Sequence, residues 1–253
     1  MLWTLRRALR DKVVRAVREA VDPVLADHRE RLLRELAAQE HRRRFDLGTA
    51  LDAEAVASSA ALVRSSMDRA RACGSPGETL VAGLEAAQGP GMVLEFGVAA
   101  GSSLRVLVEH ARGREVFGFD VFSGLPEHWR LGFGEGMFAQ DALPDVPGAQ
   151  LVPGLFDQTL PAFLAEHPGP VAFVHADADL YSSTATVLEH VGPRLGVGSV
   201  VVFDEYFNYP RWQDHEHRAW TEWLAATGAT AETLAFTWDG QQVAVRITGA
   251  PRT

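Results

Sequence analysis

The sequence predicts an α/β protein: a doubly wound, mostly parallel seven-stranded sheet with an N-terminal helical extension. Three observations lead there. From Met92 onward, short runs rich in β-branched and aromatic residues alternate with segments of helical periodicity. The runs are continuously apolar, which marks parallel strands covered on both faces. The 253 residues, 47% of them hydrophobic, are enough to bury one full core and leave a small appendage.

The appendage comes first. Leu2, Leu5, Leu9, Val13, Val17, Val21, Leu25, Leu32, Leu33 and Leu36 recur at helical spacing up to about Phe45. Asp22-Pro23 predicts a break into two helices, because proline lacks a backbone donor and disfavours helix before it. Residues 1–45 are therefore read as a helical extension and 46–253 as the main domain. The charged faces of the extension fit a solvated surface, packing onto the main domain, or a partner helix that makes the protein a homo-oligomer. Two more helices are expected over 50–72 and 77–88, separated by the turn CGSPG. Cys73 then fills a helix; a lone cysteine excludes an internal disulfide framework and a cysteine-based zinc site.

The predicted strands are MVLEFG, EVFGFD, QLVPG, PVAFVHAD, SVVVFDE, TAETLAFTW and QQVAVRIT. The last two, joined by Asp239-Gly240, read as an antiparallel hairpin closing the sheet's edge. Charge narrows the function. Residues 1–44 carry 12 Lys and Arg against 7 Asp and Glu, while the remaining 209 carry 12 against 26. A main body this acidic is no nucleic-acid binder. Arginines interrupt the first segment too often for a signal peptide or membrane span, so a cytoplasmic protein with no membrane partner is expected.

In open α/β sheets, ligands sit beyond the carboxyl ends of the strands. The first long strand ends in LEFGVAAGSS, where Gly97 and Gly101 permit a tight turn into a helix whose free N–H groups can hold an anion. The spacing is E-x-G-x-x-x-G rather than the dinucleotide fingerprint G-x-G-x-x-G. Glu95 inside the strand suits a ligand bearing an ammonium group. Asp120, ending FGFD, stands where a carboxylate accepts ribose hydroxyls. An amino acid at one end and a nucleoside at the other describe S-adenosylmethionine. The alternative for the two glycines is a plain strand-to-helix turn.

After PVAFV, His175, Asp177 and Asp179 alternate to one side, and SVVVF ends in Asp204 and Glu205. Carboxylates this crowded repel one another unless a cation or proton sits among them. Oxygen ligands of this kind suit a hard divalent cation such as Mg2+. A hydrogen-bonded, metal-free cluster is the alternative, and His175 also reads as a hydrogen-bonded strand-end residue. Tyr206, Asn208, Tyr209 and Trp212 follow and offer a wall for a sugar ring. His215 and His217 are two apart on a helix and cannot share a face, so helix packing is their expected role. Residues 121–148 form a long Gly- and Pro-rich connection, read as a lid carrying Trp129, Phe133 and Met137.

The phrases LEFGVAAGSS, GFDVFSGLPEHW, GLFDQTLP, VHADADLYSST and VVFDEYFNYPRW make residues 94–245 resemble class I S-adenosylmethionine-dependent methyltransferases, whose sheet is Rossmann-like, and within them the macrocin O-methyltransferase family. The resemblance implies an O-methyltransferase acting on a hydroxyl of a small molecule, a sugar of a glycosylated secondary metabolite in antibiotic biosynthesis. It implies that Glu95, Gly97, Val98, Ala99, Gly101 and Ser103 line the methionine end. Ser103 and the turn amides would take the carboxylate. Asp120 would take the ribose, flanked by Phe122 and Ser123. Phe156 and Asp157 would lie near the adenine, with core filling the alternative for Phe156. Metal ligands fall on Asp177, Asp204 and Glu205, the last standing where relatives often have Asp or Asn. Asp177 is the foremost base, with His175 or Asp179 as substitutes, and Trp129 joins the acceptor wall. A nicotinamide-dependent oxidoreductase shares the fold, but the glycine spacing and the lack of a Tyr-x-x-x-Lys relay speak against it. A non-catalytic binding protein on the same fold is the third reading.

Overall fold

The computed structural model describes residues 2–251, apart from the side chains of Leu2, Thr4, Leu5 and Ala8. The expected placement of Leu2 and Leu5 on an apolar face therefore lies outside the described residues. The chain divides into two compact units, Met1–Leu51 and Asp52–Thr253.

The first unit holds helix α1 (Leu2–Phe45), which runs through Pro23 without the expected break. An interior proline costs about 3 kcal/mol relative to alanine. Strong helix formers on both sides offset that cost, as do the i,i+4 pairs Asp27–Arg31, Glu30–Arg34 and Glu40–Arg44. Asp46 ends α1 and starts the next helix, its carboxylate accepting the amides of Gly48 and Thr49 at 3.0 and 3.3 Å. Helix α2 (Leu47–Ser66) continues into the second unit.

Two departures follow α2. The expected helix over 50–72 stops at Ser66, and Arg71–Cys73 forms a short strand, β1, so Cys73 fills a strand rather than a helix. Helix α3 (Pro76–Ala86) then starts on a capping box: Ser75 accepts the Glu78 amide, and Glu78 reaches back to the amide of Gly74.

The remaining elements alternate as the sequence predicts. They are β2 (Met92–Phe96), α4 (Ser102–His110), β3 (Val116–Asp120), β4 (Ala149–Pro153), α5 (Phe156–Glu166), β5 (Val171–Ala176), α6 (Tyr181–Val191), β6 (Leu195–Phe203), α7 (Glu216–Thr227), β7 (Thr230–Thr237) and β8 (Val243–Gly249). The seven expected strands and β1 make an eight-stranded sheet in the order β1-β7-β8-β6-β5-β2-β3-β4. Pairings are parallel except those of β8 with β6 and β7. The β7–β8 hairpin forms as read, but β1 pairs outside β7 and takes the edge.

The two faces of the sheet carry separate apolar clusters. One joins Leu94, Phe96, Phe117, Phe119, Val201 and Phe203 to Leu160 and Phe163 of α5, Leu188 of α6 and Trp220 of α7. The other joins Val93, Phe173, Val200 and Val202 to Leu80 and Leu84 of α3 and Leu104 and Leu107 of α4. Burial on both faces accounts for the unbroken apolar runs of the central strands.

Register then builds the rim. Phe96, Ala176 and Phe203, the last residues of β2, β5 and β6, are neighbours across the sheet. The ladder extends one residue further: Gly97 N–H donates to the Phe119 carbonyl, Asp177 N–H to that of Phe96, and Asp204 N–H to that of Ala176, at 2.8–2.9 Å. The order reverses between β2 and β5, the switch point at which open α/β sheets bind ligands.

Candidate functional site

Gly97 turns the chain away from β2 with φ +95°, and a Cβ there would stand 1.7 Å from the Asp177 carbonyl oxygen. The glycine is thus required twice, by its dihedral and by the backbone beside it. Gly101 has φ +76° and caps α4 from the left-handed region. Asp120 closes the turn: Oδ2 accepts the amides of Val98 and Ala99 at 2.9 and 2.8 Å, and Oδ1 accepts that of Phe122 at 2.7 Å. This differs from the expectation that those amides hold a ligand carboxylate. A carboxylate in the sheet draws in the nearest free N–H groups, so a ligand reaches them only by displacing Asp120.

Glu95 also has another task. It is fully buried, absent from the cavity wall, and holds Nδ1 of His175 at 2.9 Å. The pair faces one another because Glu95 and His175 are in register across β2 and β5. His175 is likewise buried, with Nε2 3.7 Å from Asp204. Burial opposes a charge on the ring. Contacts with Asp204 and Glu95 and the field of Asp177 outweigh that, holding its pKa well above the ordinary imidazole value. His175 is buried off the cavity wall with Nδ1 engaged by Glu95, so it is not placed to meet an acceptor as a substitute base.

The rim is crowded with acid. Two groups bring one ligand atom from each member within 4.8 Å of the others: His175, Asp177 and Asp204, and Asp177, Asp179 and Glu205. Asp177 belongs to both. The alternation expected past β5 is broken at Asp179, which takes φ +59° yet still turns its carboxylate into the second group. Burial and the charge of Asp204 push Asp177 well above the usual carboxylate range, against the pull of His175. Burial raises Asp179 to about 7, with Arg130 opposing. Burial and the charge of Asp177 raise Glu205. Burial works to raise Asp204 too, but its contacts with His175 and a hydrogen bond from Gln242 prevail and lower it. Glu205 Oε2 and Glu95 Oε2 are buried without partners.

One cavity of about 520 Å³ collects these parts. Gly97, Ala99, Asp120, Phe156 and Asp157 line it together with Asp177, Asp179 and Glu205. Phe156 also packs edge-on against Phe96, so it serves core and wall alike. Val98, Gly101, Ser103, Phe122, Ser123 and Asp204 are not on the wall; Val98 and Phe122 lie in the apolar cluster under α4, and Ser123 is exposed. The 121–148 connection is ordered by backbone bonds such as Leu125 N–H to Met137 O and Gly136 N–H to Leu125 O, both 2.9 Å. It supplies Leu125, Trp129, Arg130, Phe133 and Phe138 to the wall.

The aromatic run after β6 is not the expected sugar wall. Tyr206, Tyr209 and Trp212 are 6, 3 and 4% exposed and belong to the core, and Asn208 donates to the Gly240 carbonyl. The Trp212 indole N–H donates to the Ser58 hydroxyl at 3.0 Å, pinning the run to α2. An alternation of aromatic and polar residues reads the same whether the rings face a ligand or a helix. Of the expected acceptor residues, Trp129 alone lines the cavity. Trp212→Ala is therefore expected to destabilise the fold by about 3–5 kcal/mol in chemical denaturation. Trp129→Ala, at a residue both on the cavity wall and in the core cluster, is expected to raise the KM for the acceptor and to lower the melting temperature as well.

Two residues escaped the sequence reading. Glu216 is fully buried at the start of α7; it accepts the Glu205 amide at 3.0 Å, and its Oε1 has no partner. Burial and the charge of Asp204 raise it well above the usual range. Its neighbours His215 and His217 drew attention instead. The other is Arg130, the one cationic side chain on the cavity wall among the described residues. It follows Trp129 in a loop where sequence pattern marks only turns.

Residues 94–206 match a family model described as a methyltransferase domain. A Streptomyces olivaceus protein named 8-demethyl-8-(2,3-dimethoxy-alpha-L-rhamnosyl)-tetracenomycin-C 4'-O-methyltransferase is 33% identical over 143 residues, 46% of this chain and 53% of that protein. The chain thus matches about half the length of this curated relative. Among solved structures, the calicheamicin methyltransferase CalS11 is 27% identical with a TM-score of 0.51, over 67% of this chain and 76% of that one. The O-methyltransferase NovP, 24% identical with a TM-score of 0.52 over 68% of this chain and 79% of its own, shares the fold. The switch-point cavity, the glycine turn and these matches agree: residues 94–206 match a methyltransferase domain, and the chain is similar to O-methyltransferases, one of them named as acting on a rhamnosyl group.

Proposed function

We propose that this protein transfers the methyl group of S-adenosylmethionine to a hydroxyl of a sugar on a glycosylated natural product, with Mg2+ at the acidic rim. The observation that carries the reading is that the Gly97 turn and the carboxylates following β5 and β6 open onto one cavity. The name of the Streptomyces olivaceus relative supports the choice of acceptor.

The bound donor supplies a sulfonium methyl group to a nucleophile lying in line with its carbon–sulfur bond. The chain's task is orientation and proton removal. Gly97 and Ala99 would take the amino-acid end of the donor, Asp120 its ribose, and Phe156 and Asp157 its base; all five line the cavity. The fixed turn sets the distance from donor to rim, so alignment accounts for much of the rate. Asp177 and Asp179, both on the wall, take the acceptor hydroxyl and its proton.

The rim suits a hard cation: its donors are mostly carboxylate oxygens, the buried Glu205 Oε2 lacks a partner, and crowding favours protons on groups a cation would leave ionised. Asp177, Asp204 and Glu205 would hold it, with the buried His175 beside Asp204. Bound there, it would lower the pKa of an acceptor hydroxyl.

Calorimetry with S-adenosylhomocysteine and with NAD tests the assignment: the former is expected to bind and the latter not, and binding of NAD alone overturns it. Turnover is expected to fall at least about tenfold in EDTA and return with Mg2+; EDTA-insensitive turnover removes the cation from the proposal. Self-association through α1, whose Leu9, Val13, Val17, Leu32 and Leu36 are exposed, belongs to the same reading. Deleting residues 1–44 is expected to lower the particle mass in light scattering to that of a single chain while leaving S-adenosylhomocysteine binding intact. An unchanged number of chains per particle argues against it.

A further inference from the structure

Arg130 lies on the cavity wall with its guanidinium carbon over three rings: 3.8 Å from the centroid of Trp129 and 4.7 Å from those of Phe133 and Tyr209. Aromatic faces hold an arginine by its flat surface and leave its N–H edge for other partners. That edge has none. The Arg130 side chain forms no hydrogen bond or salt bridge among the described residues, and its Nε is buried without an acceptor. A buried, unpaired guanidinium donor is costly, and folded proteins keep few of them. On the wall it stacks on Trp129, the one expected acceptor residue that lines the cavity.

The partner's chemistry follows from the surroundings. Asp120, Asp157, Asp177, Asp179 and Glu205 share the wall with this one arginine. A phosphate or carboxylate brought to Arg130 would meet a wall on which five acidic side chains face one cationic one. Neutral oxygens meet no such penalty. A planar fork with parallel N–H groups matches two oxygens side by side, as on neighbouring carbons of a sugar ring.

We infer that Arg130 is the specificity-determining residue for the acceptor, its guanidinium edge donating to a pair of vicinal sugar oxygens next to the hydroxyl to be methylated. The inference rests on the sugar O-methyltransferase reading above and goes beyond it. It names the residue that selects the acceptor and the neutral vicinal diol it selects, in preference to the diphosphate of a nucleotide sugar. Arg130 thereby acts as a positioning residue for the reacting oxygen without touching the methyl group.

The test is calorimetry on the full chain saturated with S-adenosylhomocysteine and Mg2+, with three probes: methyl α-L-rhamnopyranoside, its 3-deoxy analogue and thymidine-diphosphate-rhamnose. Arg130→Met is expected to weaken the rhamnoside at least about tenfold, the deoxy analogue hardly at all. Arg130→Lys, which keeps the cation near Asp179 but lacks the fork, is expected to lose as much as the methionine variant. Three results overturn the inference: equal rhamnoside affinity in wild type and Arg130→Met, Arg130→Lys behaving as wild type, or no rhamnoside binding to the wild type. Preferential binding of the nucleotide sugar that Arg130→Met abolishes also overturns it, because the arginine then reads an anion. Affinity for S-adenosylhomocysteine, measured first in each protein, shows that the variants are folded. If the wild type fails to bind it, the methyltransferase reading has failed; if all bind it and the rhamnoside results go the wrong way, only the role of Arg130 has failed.

Discussion

Asp177→Asn is expected to lower methyl transfer at least about 100-fold, the usual scale for losing a positioned acid or base, while leaving the melting temperature unchanged or higher. Both halves come from the same geometry. Asp177 is the one residue common to both ligand groups at the rim, so its carboxylate is the hub for a cation and for the acceptor hydroxyl. Asparagine keeps the shape and the backbone bond from Asp177 N–H to the Phe96 carbonyl, so the strand end stays in place. What disappears is a negative charge that burial and Asp204 already disfavour, and with it some repulsion on Asp179 and Glu205. A residue kept for structure behaves the other way, losing stability together with activity. The measurements are single-turnover methylation with labelled donor and thermal unfolding of the same preparation. Turnover within about threefold of the wild type, well under the scale of a lost catalytic group, removes Asp177 from the mechanism.

Gly97→Ala is expected to be the most damaging single methyl group at the site. The new Cβ would overlap the Asp177 carbonyl oxygen at 1.7 Å, and φ is +95°. Left-handed strain costs about 1–3 kcal/mol, and forcing atoms into packed space about 1–3 more. The clash is with backbone at the end of a central strand, which cannot turn aside as a side chain would. The glycine turn must therefore move away from β5, separating the donor end of the cavity from the acidic rim. We expect destabilisation of about 3 kcal/mol or more in chemical denaturation and loss of S-adenosylhomocysteine binding by the protein that still folds. Gly132→Ala is the control. That glycine also has a positive φ, +89°, but nothing lies within 4 Å of its added methyl, so only the dihedral cost of about 1 kcal/mol is expected. Equal effects at the two positions would show that the approach to Asp177 does not matter.

The sequence by itself determined the seven long strands, their mostly parallel pairing, the glycine turn and the acids at the rim. These depend on local pattern: apolar runs covered on both faces, a positive-φ glycine at a strand end, charged residues just past it. Pro23 and Arg71–Cys73 were misread because nothing local records them. Helix α1 continues through a proline where good helix formers and ion pairs repay the missing bond, and three residues become a strand only because β7 offers an edge.

Tertiary structure alone decided which side chains face the cavity. Glu95 turns to His175, His175 lies buried between Glu95 and Asp204, and Asp120 spends its oxygens on turn amides. Tyr206, Tyr209 and Trp212 pack inward, while Arg130 and Glu216 enter the site unannounced. Alternation along a strand or loop says which residues share a side. Which element covers that side, and whether a polar atom meets a ligand or its own backbone there, depends on partners far along the chain, 22 residues away for Asp120 on Val98 and 154 for Ser58 under Trp212.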